Sequence, residues 1–248
     1  MKTAISAITE NGLATAVELA EKIAGSEVFN LKGKGLLRKW TVENFQNYEG
    51  HIFIMSMGIV YRIIAPLITN KYNDPAVVVV DDARRHAIAA LSGHEGGANR
   101  LTFKVAQIID AEPVVTTASD TNKRIILGIG CRKGTSCKDI EKAVFQELKK
   151  NNLCVNDIRI AASVDIKKEE TGLIEAFDKM DIPLLFISSE KIRTFTGYKN
   201  ISKAAMRQLG LPGVSEPCAL LGGRETTLIQ ERTIIGPVTI ALAKEDLI

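Results

Sequence analysis

Aromatic residues make up only 5% of this 248-residue chain, too few for the base-stacking platforms of single-stranded nucleic-acid binders. Cysteine is scarce and unpaired. Cys131, Cys137, Cys154 and Cys218 form no CxxC pair, which argues against a structural zinc site and leaves free, mostly buried thiols as the expectation. No apolar run approaches the length of a membrane span. The opening MKTAISAITENG meets an acid and a turn dipeptide too soon for a secretory leader, so the expected compartment is the cytoplasm. Strong charge of one sign is missing as well. The net charge is +3, divided as 12 basic against 13 acidic residues up to Asn122 and 20 against 16 beyond it. A mildly basic second half suits an acidic partner, but without Lys/Arg clusters it does not suit nucleic acid. Neither the glycine fingerprint of dinucleotide sites nor a Gly-Lys-Ser/Thr phosphate loop occurs.

What is present is an alternation of strand and helix patterns, with hydrophobic and charged fractions of 46% and 25%, both ordinary for a globular protein. In the first half, strands are expected at Thr3–Thr9, Glu27–Leu31, His51–Met55, Ala76–Asp81, His86–Leu91 and Val114–Ala118. Helices are expected at Leu13–Ile23 after an Asn11-Gly12 turn, at Trp40–Tyr48 with Thr41 as N-cap, at Ile59–Ile68 with a kink or early end at Pro66, and at Asn99–Ile109. Val77 to Val80 has no polar face, so it should be covered on both sides, as in a parallel sheet. Asp82 to Arg85 reads as a hairpin tip. In the second half, strands are expected at Arg124–Ile129, Ile158–Ser163, Pro183–Ile187, Leu228–Ile229 and Val238–Leu242, the last two joined by a charged turn. Helices are expected at Cys137–Lys150, Glu169–Met180 (breakable at Gly172), Ile201–Leu209 and Glu216–Leu221. The fold class is therefore α/β: two α/β domains, residues 1–122 and 123–248, each a largely parallel sheet layered with helices.

Three glycine-bearing segments could carry chemistry. Ser92-Gly93-His94-Glu95-Gly96-Gly97-Ala98-Asn99 falls between a strand and a helix, where α/β proteins bind ligands. His94 or Glu95 could move a proton, the N–H groups of Gly96 and Gly97 could hold an oxyanion, and Asn99 could cap the helix or donate a hydrogen bond. A tight turn with a solvated His and Glu is the plainer alternative. Ser56-Met57-Gly58 is a second strand-to-helix junction that could hold a carboxylate, with Arg62 adding charge one turn on; a packing glycine and a solvated arginine account for it equally. Lys32 to Leu37 is a loop or an anion contact. Gly128-Ile129-Gly130-Cys131-Arg132-Lys133-Gly134-Thr135 reads as a glycine turn whose cations favour a polyanion, with Cys131 more simply a small structural thiol. Asp165 and Glu216 stand at element ends, as caps or as site residues.

Taken together, these segments resemble one family. In the first half the resemblance is carried by Ser92–Asn99, Gly58-Ile59-Val60 with Ala65-Pro66-Leu67, Asp74–Asp81 and Pro113–Asp120. In the second half it is carried by Gly128–Thr135, Ser163–Lys167, Gly172-Leu173 and Gly213–Leu220. The chain resembles the cobalt-precorrin-5A hydrolase family of cobalamin biosynthesis over nearly its whole length, with one departure: the segment that usually separates the two domains is absent, and Asp120 passes almost directly to Arg124. The resemblance implies a cobalt-containing tetrapyrrole substrate bearing a δ-lactone between the ring A acetate and the extruded C20 carbon. Water opens the lactone, acetaldehyde leaves, and cobalt-precorrin-5B remains. Cobalt arrives in the substrate, so neither a protein metal site nor a cofactor is expected. His94, Glu95, Gly96 and Gly97 are the expected catalytic set. Gly58, Arg62, Ser92, Asn99, Cys131, Arg132, Lys133, Thr135, Asp165 and Glu216 are the expected substrate contacts, in a cleft between the halves. Nucleic acid and membrane are not expected partners, and a homodimer is the default assembly. A non-catalytic carrier of corrin precursors is the alternative, and a phosphate-ligand binding module on the glycine loops is a third.

Overall fold

The computed structural model describes residues 1–197 and 201–246. The chain divides into two compact units, Met1–Ser119 and Asp120–Ile248. The first contains β1 (Thr3–Ala7), α1 (Glu10–Lys22), β2 (Ser26–Asn30), α2 (Leu36–Asn44), β3 (Gly50–Ile54), α3 (Met57–Ile64), β4 (Ala76–Val80), β5 (His86–Leu91), α4 (Ala98–Ile109) and β6 (Glu112–Val114). Its six strands are ordered β2-β1-β3-β4-β5-β6. β2, β1, β3 and β4 run parallel; β5 turns back antiparallel to β4, and β6 is parallel to β5. The valine run explains itself in this sheet. Val78 and Val80 pack with α1 and α4 on one face, and Val77 and Val79 with α2 and α3 on the other, so all four are buried.

The order β2-β1-β3 makes a switch point. The chain leaves β1 to one side for β2 and crosses back to the other side for β3. At such a point the helices splay to opposite faces and a crevice opens at the carboxyl ends of the strands.

Several local expectations shift. Asn11-Gly12 is not a turn but lies in the first turn of α1, capped by Thr9, whose hydroxyl accepts from Gly12 N–H at 2.9 Å. Thr41 is not an N-cap; it sits inside α2 and donates to Leu37 C=O at 2.8 Å. Pro66 ends α3 in a short 3-10 turn, Ala65–Leu67. The strand expected through Ala118 stops at Val114, and α5 (Ala118–Asn122) begins instead.

The second unit continues with β7 (Ile125–Cys131), α6 (Cys137–Lys150), β8 (Ile158–Val164), α7 (Thr171–Lys179), β9 (Leu184–Ile187), α8 (Ser189–Thr194), α9 (Lys203–Leu209), α10 (Ser215–Leu221), β10 (Thr226–Ile235) and β11 (Val238–Glu245). Its strand order is β10-β11-β7-β8-β9, parallel only along β7-β8-β9 and antiparallel from β7 through β11 to β10. The sheet is thus mixed rather than largely parallel. β10 and β11 form the expected hairpin, but it turns at Gly236-Pro237, and the charged residues Glu231 and Arg232 after the first strand signal lie inside β10, with register shifts before and after Gln230. An edge strand with one wet face tolerates charge there. α6 and α7 cover one face and α10 the other. Gly172 does not break α7: a Cβ there would lie 2.2 Å from Thr135 C=O, so the glycine lets the start of the helix approach the turn at Thr135.

The Gly128–Thr135 segment is the main correction. Gly128, Ile129, Gly130 and Cys131 are strand residues, and only Arg132 to Thr135 form the turn. The glycines serve packing. A Cβ on Gly128 would stand 1.9 Å from Ser215 C=O, so this glycine admits the backbone of α10, while one on Gly130 would stand 2.7 Å from Thr239 Oγ1 and 3.2 Å from the Val214 Cβ, so that glycine makes room for side chains.

Candidate functional site

The loop Ser92–Gly97 follows β5, and the direction of β5 decides where it lies. Leu91 pairs with Val77, and Val77 with His51, near the starts of β4 and β3. The loop therefore stands at the amino edge of the parallel strands, opposite the switch point. It is held by its own backbone: Gly96 N–H and Ala98 N–H both donate to Ser92 C=O at 3.1 and 3.2 Å, and Asn99 N–H donates to Gly93 C=O at 2.9 Å. Of the two amides expected for an oxyanion, that of Gly96 is consumed in this way, while that of Gly97 is engaged by no described residue. Gly97 takes a left-handed φ of +84° just before α4, and Ser92 takes +53°. Asn99 donates to Thr117 Oγ1 at 2.8 Å rather than capping α4. Ser92 Oγ and Asn99 Oδ1 are buried without a partner, two acceptors on the inner side of the loop that a ligand or water would satisfy.

His94 and Glu95 are exposed at the tip. Glu95 Oε1 is 2.8 Å from Lys71 Nζ. The hydrogen bond from Lys71, followed by one from its own backbone N–H, holds this carboxyl below the usual range, so Glu95 is an ionised carboxylate at neutral pH. Lys71 lies in the α3–β4 connection, where sequence alone offered no reason to pair it with a residue 24 positions on. Lys71→Met is expected to return the Glu95 pKa upward toward an ordinary glutamate. A carboxyl-carbon NMR titration checks this, and an unmoved Glu95 would show that its backbone contact suffices.

Gly58 and Arg62 stand at the other edge of the sheet. Gly58 is the second residue of α3, and the Arg62 guanidinium reaches back to within 3.7 Å of the position a Gly58 Cβ would take. Arg62 lines a cavity of about 500 Å³ together with Lys32, Gly33, Gly35 and Arg38 from the β2–α2 segment. Of these, Arg38 was not anticipated. A second cavity on this edge, about 410 Å³, is lined by Asn11, Ser56, Asp81, Asp82, Ala83 and Arg85. The structure therefore brings Ser92, His94, Glu95, Gly96, Gly97 and Asn99 together and keeps Gly58 and Arg62 apart from them.

In the second unit Cys131 ends β7, and burial pushes its thiol up, the reverse of what a nucleophile needs. Arg132 and Lys133 are exposed on a turn closed by Thr135, whose Oγ1 donates to Arg132 C=O at 2.7 Å. Gly134 N–H donates to Glu170 Oε2 at 2.9 Å, and Lys167 Nζ meets the other Glu170 oxygen at 2.9 Å. Asp165, just past β8, accepts from Ser189 N–H and Oγ through Oδ2, while its Oδ1 is buried without a partner. Ser215 Oγ, at the start of α10, is likewise buried and unpartnered. Glu216 is buried and accepts from Arg232 N–H at 2.9 Å, which binds it to β10 as a structural group. Cys218 is fully buried, its thiol pushed up by burial with Asp165 adding to the effect. No described helix is long and apolar enough to cross a membrane.

Comparison with known proteins bears on both units. Residues 39–120 match the family model described as cobalamin synthesis G N-terminal, and residues 125–243 match cobalamin synthesis G C-terminus. A cobalt-precorrin-5A hydrolase of Priestia megaterium is 26% identical, covering 97% of this chain and 94% of its own. That alignment runs to 352 residues against a chain of 248, so over a hundred positions of the relative have no counterpart here. A cobalt-precorrin-5A hydrolase of Salmonella typhimurium is 25% identical over 71% of this chain and 77% of its own. Protein CobE of a Sinorhizobium species is 28% identical over 48% of this chain and 79% of its own.

Proposed function

This chain belongs to the cobalamin synthesis G family, and from that premise we propose that it is a cobalt-precorrin-5A hydrolase, opening the ring A δ-lactone of its substrate and releasing acetaldehyde. The observation that carries this is the pair of family matches, in order and nearly contiguous, joined to a hydrolase relative aligned over 97% of the chain. Water adds to the lactone carbonyl and the acyl–oxygen bond breaks. A ring carboxylate forms, and a hydroxyl is freed on the carbon that bore the ester oxygen. When that hydroxyl loses its proton, its carbon leaves as the aldehyde, and the electron pair of the broken carbon–carbon bond stays on the macrocycle. The chemistry asks for a general base, a donor for the oxyanion and charges that hold the carboxylate rim.

The Ser92–Asn99 loop supplies candidates for the first two: an ionised Glu95, an exposed His94 beside it, and the Gly97 N–H at a positive-φ turn. Arg132 and Lys133 on their exposed turn, with Thr135 closing it and Asp165 just past the neighbouring strand β8, supply contacts to the rim in the second unit. In this reading the cobalt comes with the substrate, no cofactor is needed, and the enzyme works in the cytoplasm, as a homodimer by default. Purified protein incubated with cobalt-precorrin-5A is expected to release acetaldehyde and yield the mass of cobalt-precorrin-5B, with turnover lost in His94→Ala/Glu95→Ala. Tight binding without acetaldehyde would replace the hydrolase by the carrier. Turnover at the wild-type rate in the double variant would move the catalytic site off this loop.

A further inference from the structure

The cavity at the switch point of the first unit has no role in the loop chemistry above, yet it is the better-built binding site. Its lining comes from three places in the chain: Ile8 just past β1, the β2–α2 segment from Leu31 to Arg38, and Ile59, Arg62 and Ile63 of α3. The floor is apolar. Leu31, Leu37 and Ile63 are buried, and Ile8 and Ile59 half-buried. The rim is cationic: Lys32, Arg38 and Arg62 are all exposed. Little charge answers them. Lys32 meets Glu10 at 3.3 Å, and among the described residues Arg38 and Arg62 have no ion-pair partner. Gly35, at φ +79°, has open space where a Cβ would go, which leaves backbone accessible beside the three cations. Lys32, Gly33, Gly35, Leu37 and Arg38 also precede residue 39, where the family match begins, so most of this rim is not assigned by it.

We propose that this cavity binds a flat, apolar macrocycle by its carboxylates, with Arg38 and Arg62 as the principal anion contacts and Lys32 as a third. The volume of about 500 Å³ is in the range of small-molecule sites. Guanidinium groups pair bidentately with carboxylates, and an oily floor under a charged rim selects an amphipathic acid over a bare inorganic anion. The proposal deepens the hydrolase reading and rests on it for the identity of the natural ligand. It places substrate contacts at the edge of the sheet opposite the Ser92–Asn99 loop, and so competes with that loop for the lactone: a substrate seated here should leave turnover unchanged in His94→Ala/Glu95→Ala.

The test uses the full chain and an octacarboxylate porphyrin as probe, followed by fluorescence quenching. Arg38→Gln and Arg62→Gln are each expected to weaken binding about tenfold, the loss of one charge-assisted contact, and the wild-type affinity should fall as salt rises. Lys39→Gln removes an exposed cation that does not line the cavity and should leave the Kd within twofold. Both arginines are exposed, so circular dichroism should show all variants folded. Failure of the wild type to bind the porphyrin, equal losses in Lys39→Gln and the arginine variants, or displacement of the porphyrin by inorganic phosphate at low concentration would each overturn the proposal, the last in favour of a phosphate-ligand site. The two readings separate cleanly. Acetaldehyde release with an unchanged KM for cobalt-precorrin-5A in the arginine variants would sink the cavity and leave the hydrolase. Arginine-dependent porphyrin binding with no acetaldehyde release would sink the hydrolase and leave the cavity.

Discussion

Gly128→Ala is expected to lower the melting temperature of the second unit by about 10 °C or more. One methyl group is enough because of what it meets. A Cβ at this position would stand 1.9 Å from Ser215 C=O, 2.5 Å from Ala219 N and 2.8 Å from the Ala219 Cβ. The first two are backbone atoms of α10, so no side-chain rotation relieves the clash. The helix would have to lift off β7 and β11, uncovering Ala219, Ala241 and Ala243, all fully buried. Overpacking a core costs about 1–3 kcal/mol where side chains can move; a clash with helix backbone belongs at or above the top of that range, about 3 kcal/mol, which for a unit of this size is a shift of about 10 °C. Gly134→Ala is the control. Gly134 has φ +74° and nothing within 4 Å of a Cβ, so it should cost only the left-handed backbone preference, about 1 kcal/mol. Thermal unfolding of both variants decides the matter. If Gly128→Ala melts within about 3 °C of wild type, α10 is not held on β7 as described.

That glycine also shows why part of the chain was legible and part was not. Gly-Ile-Gly-Cys-Arg-Lys-Gly looks like a turn because glycine marks turns, but it equally marks a strand that another backbone approaches. Which applies depends on α10, more than 80 residues later, and no local pattern contains that information. Elements whose signal is their own periodicity were readable. The helix Cys137–Lys150 has the expected bounds, and the buried valine strand and the hairpin at Asp82–Arg85 appear where the pattern put them.

The site was legible only in its parts. His94, Glu95 and the surrounding glycines do form one loop. The rule that placed it at the carboxyl end of its strand is obeyed, but β5 runs antiparallel to β4, so the loop arrives at the edge away from the switch point. The ion pair of Glu95 with Lys71 and the convergence of Lys32, Arg38 and Arg62 depend on folding distant segments together. Lys32–Leu37 and Arg62 stand out separately, but an isolated cation, in a loop like Lys71 and Lys32 or on a helix like Arg38 and Arg62, does not say which distant groups it will join.

The first unit should lose about 3 kcal/mol of stability between pH 7 and pH 4 through His51 alone. This histidine is fully buried among Phe29's partners Trp40 and Tyr48 and between the rings of Phe45 and Phe53, with centroids 5.3 and 5.6 Å away. Its Nε2 is 2.9 Å from Phe45 C=O, which requires that nitrogen to carry the proton, and its Nδ1 is buried with no partner. Protonating Nδ1 would create a cation with an N–H that has no acceptor. Burial accordingly lowers the pKa to about 4, against a smaller opposing effect of the Phe45 carbonyl.

The sign follows from proton uptake. The unfolded chain binds a proton at His51 near pH 6.5 while the folded chain does so only near 4, so stability is fully present above 6.5 and declines as pH falls through that window. At 1.36 kcal/mol per unit of pKa, the loss at pH 4 is about 3 kcal/mol. Carboxylates also titrate in this range, so the informative quantity is a difference. Urea unfolding of wild type and His51→Phe at pH 7, 5.5 and 4 should show the wild type losing about 3 kcal/mol relative to the variant. Direct NMR titration should find the His51 imidazole neutral in the folded protein down to about pH 4. A difference that stays flat with pH, or an imidazole that titrates near 6.5 in the folded state, would mean that His51 is hydrated rather than sealed in its aromatic cluster.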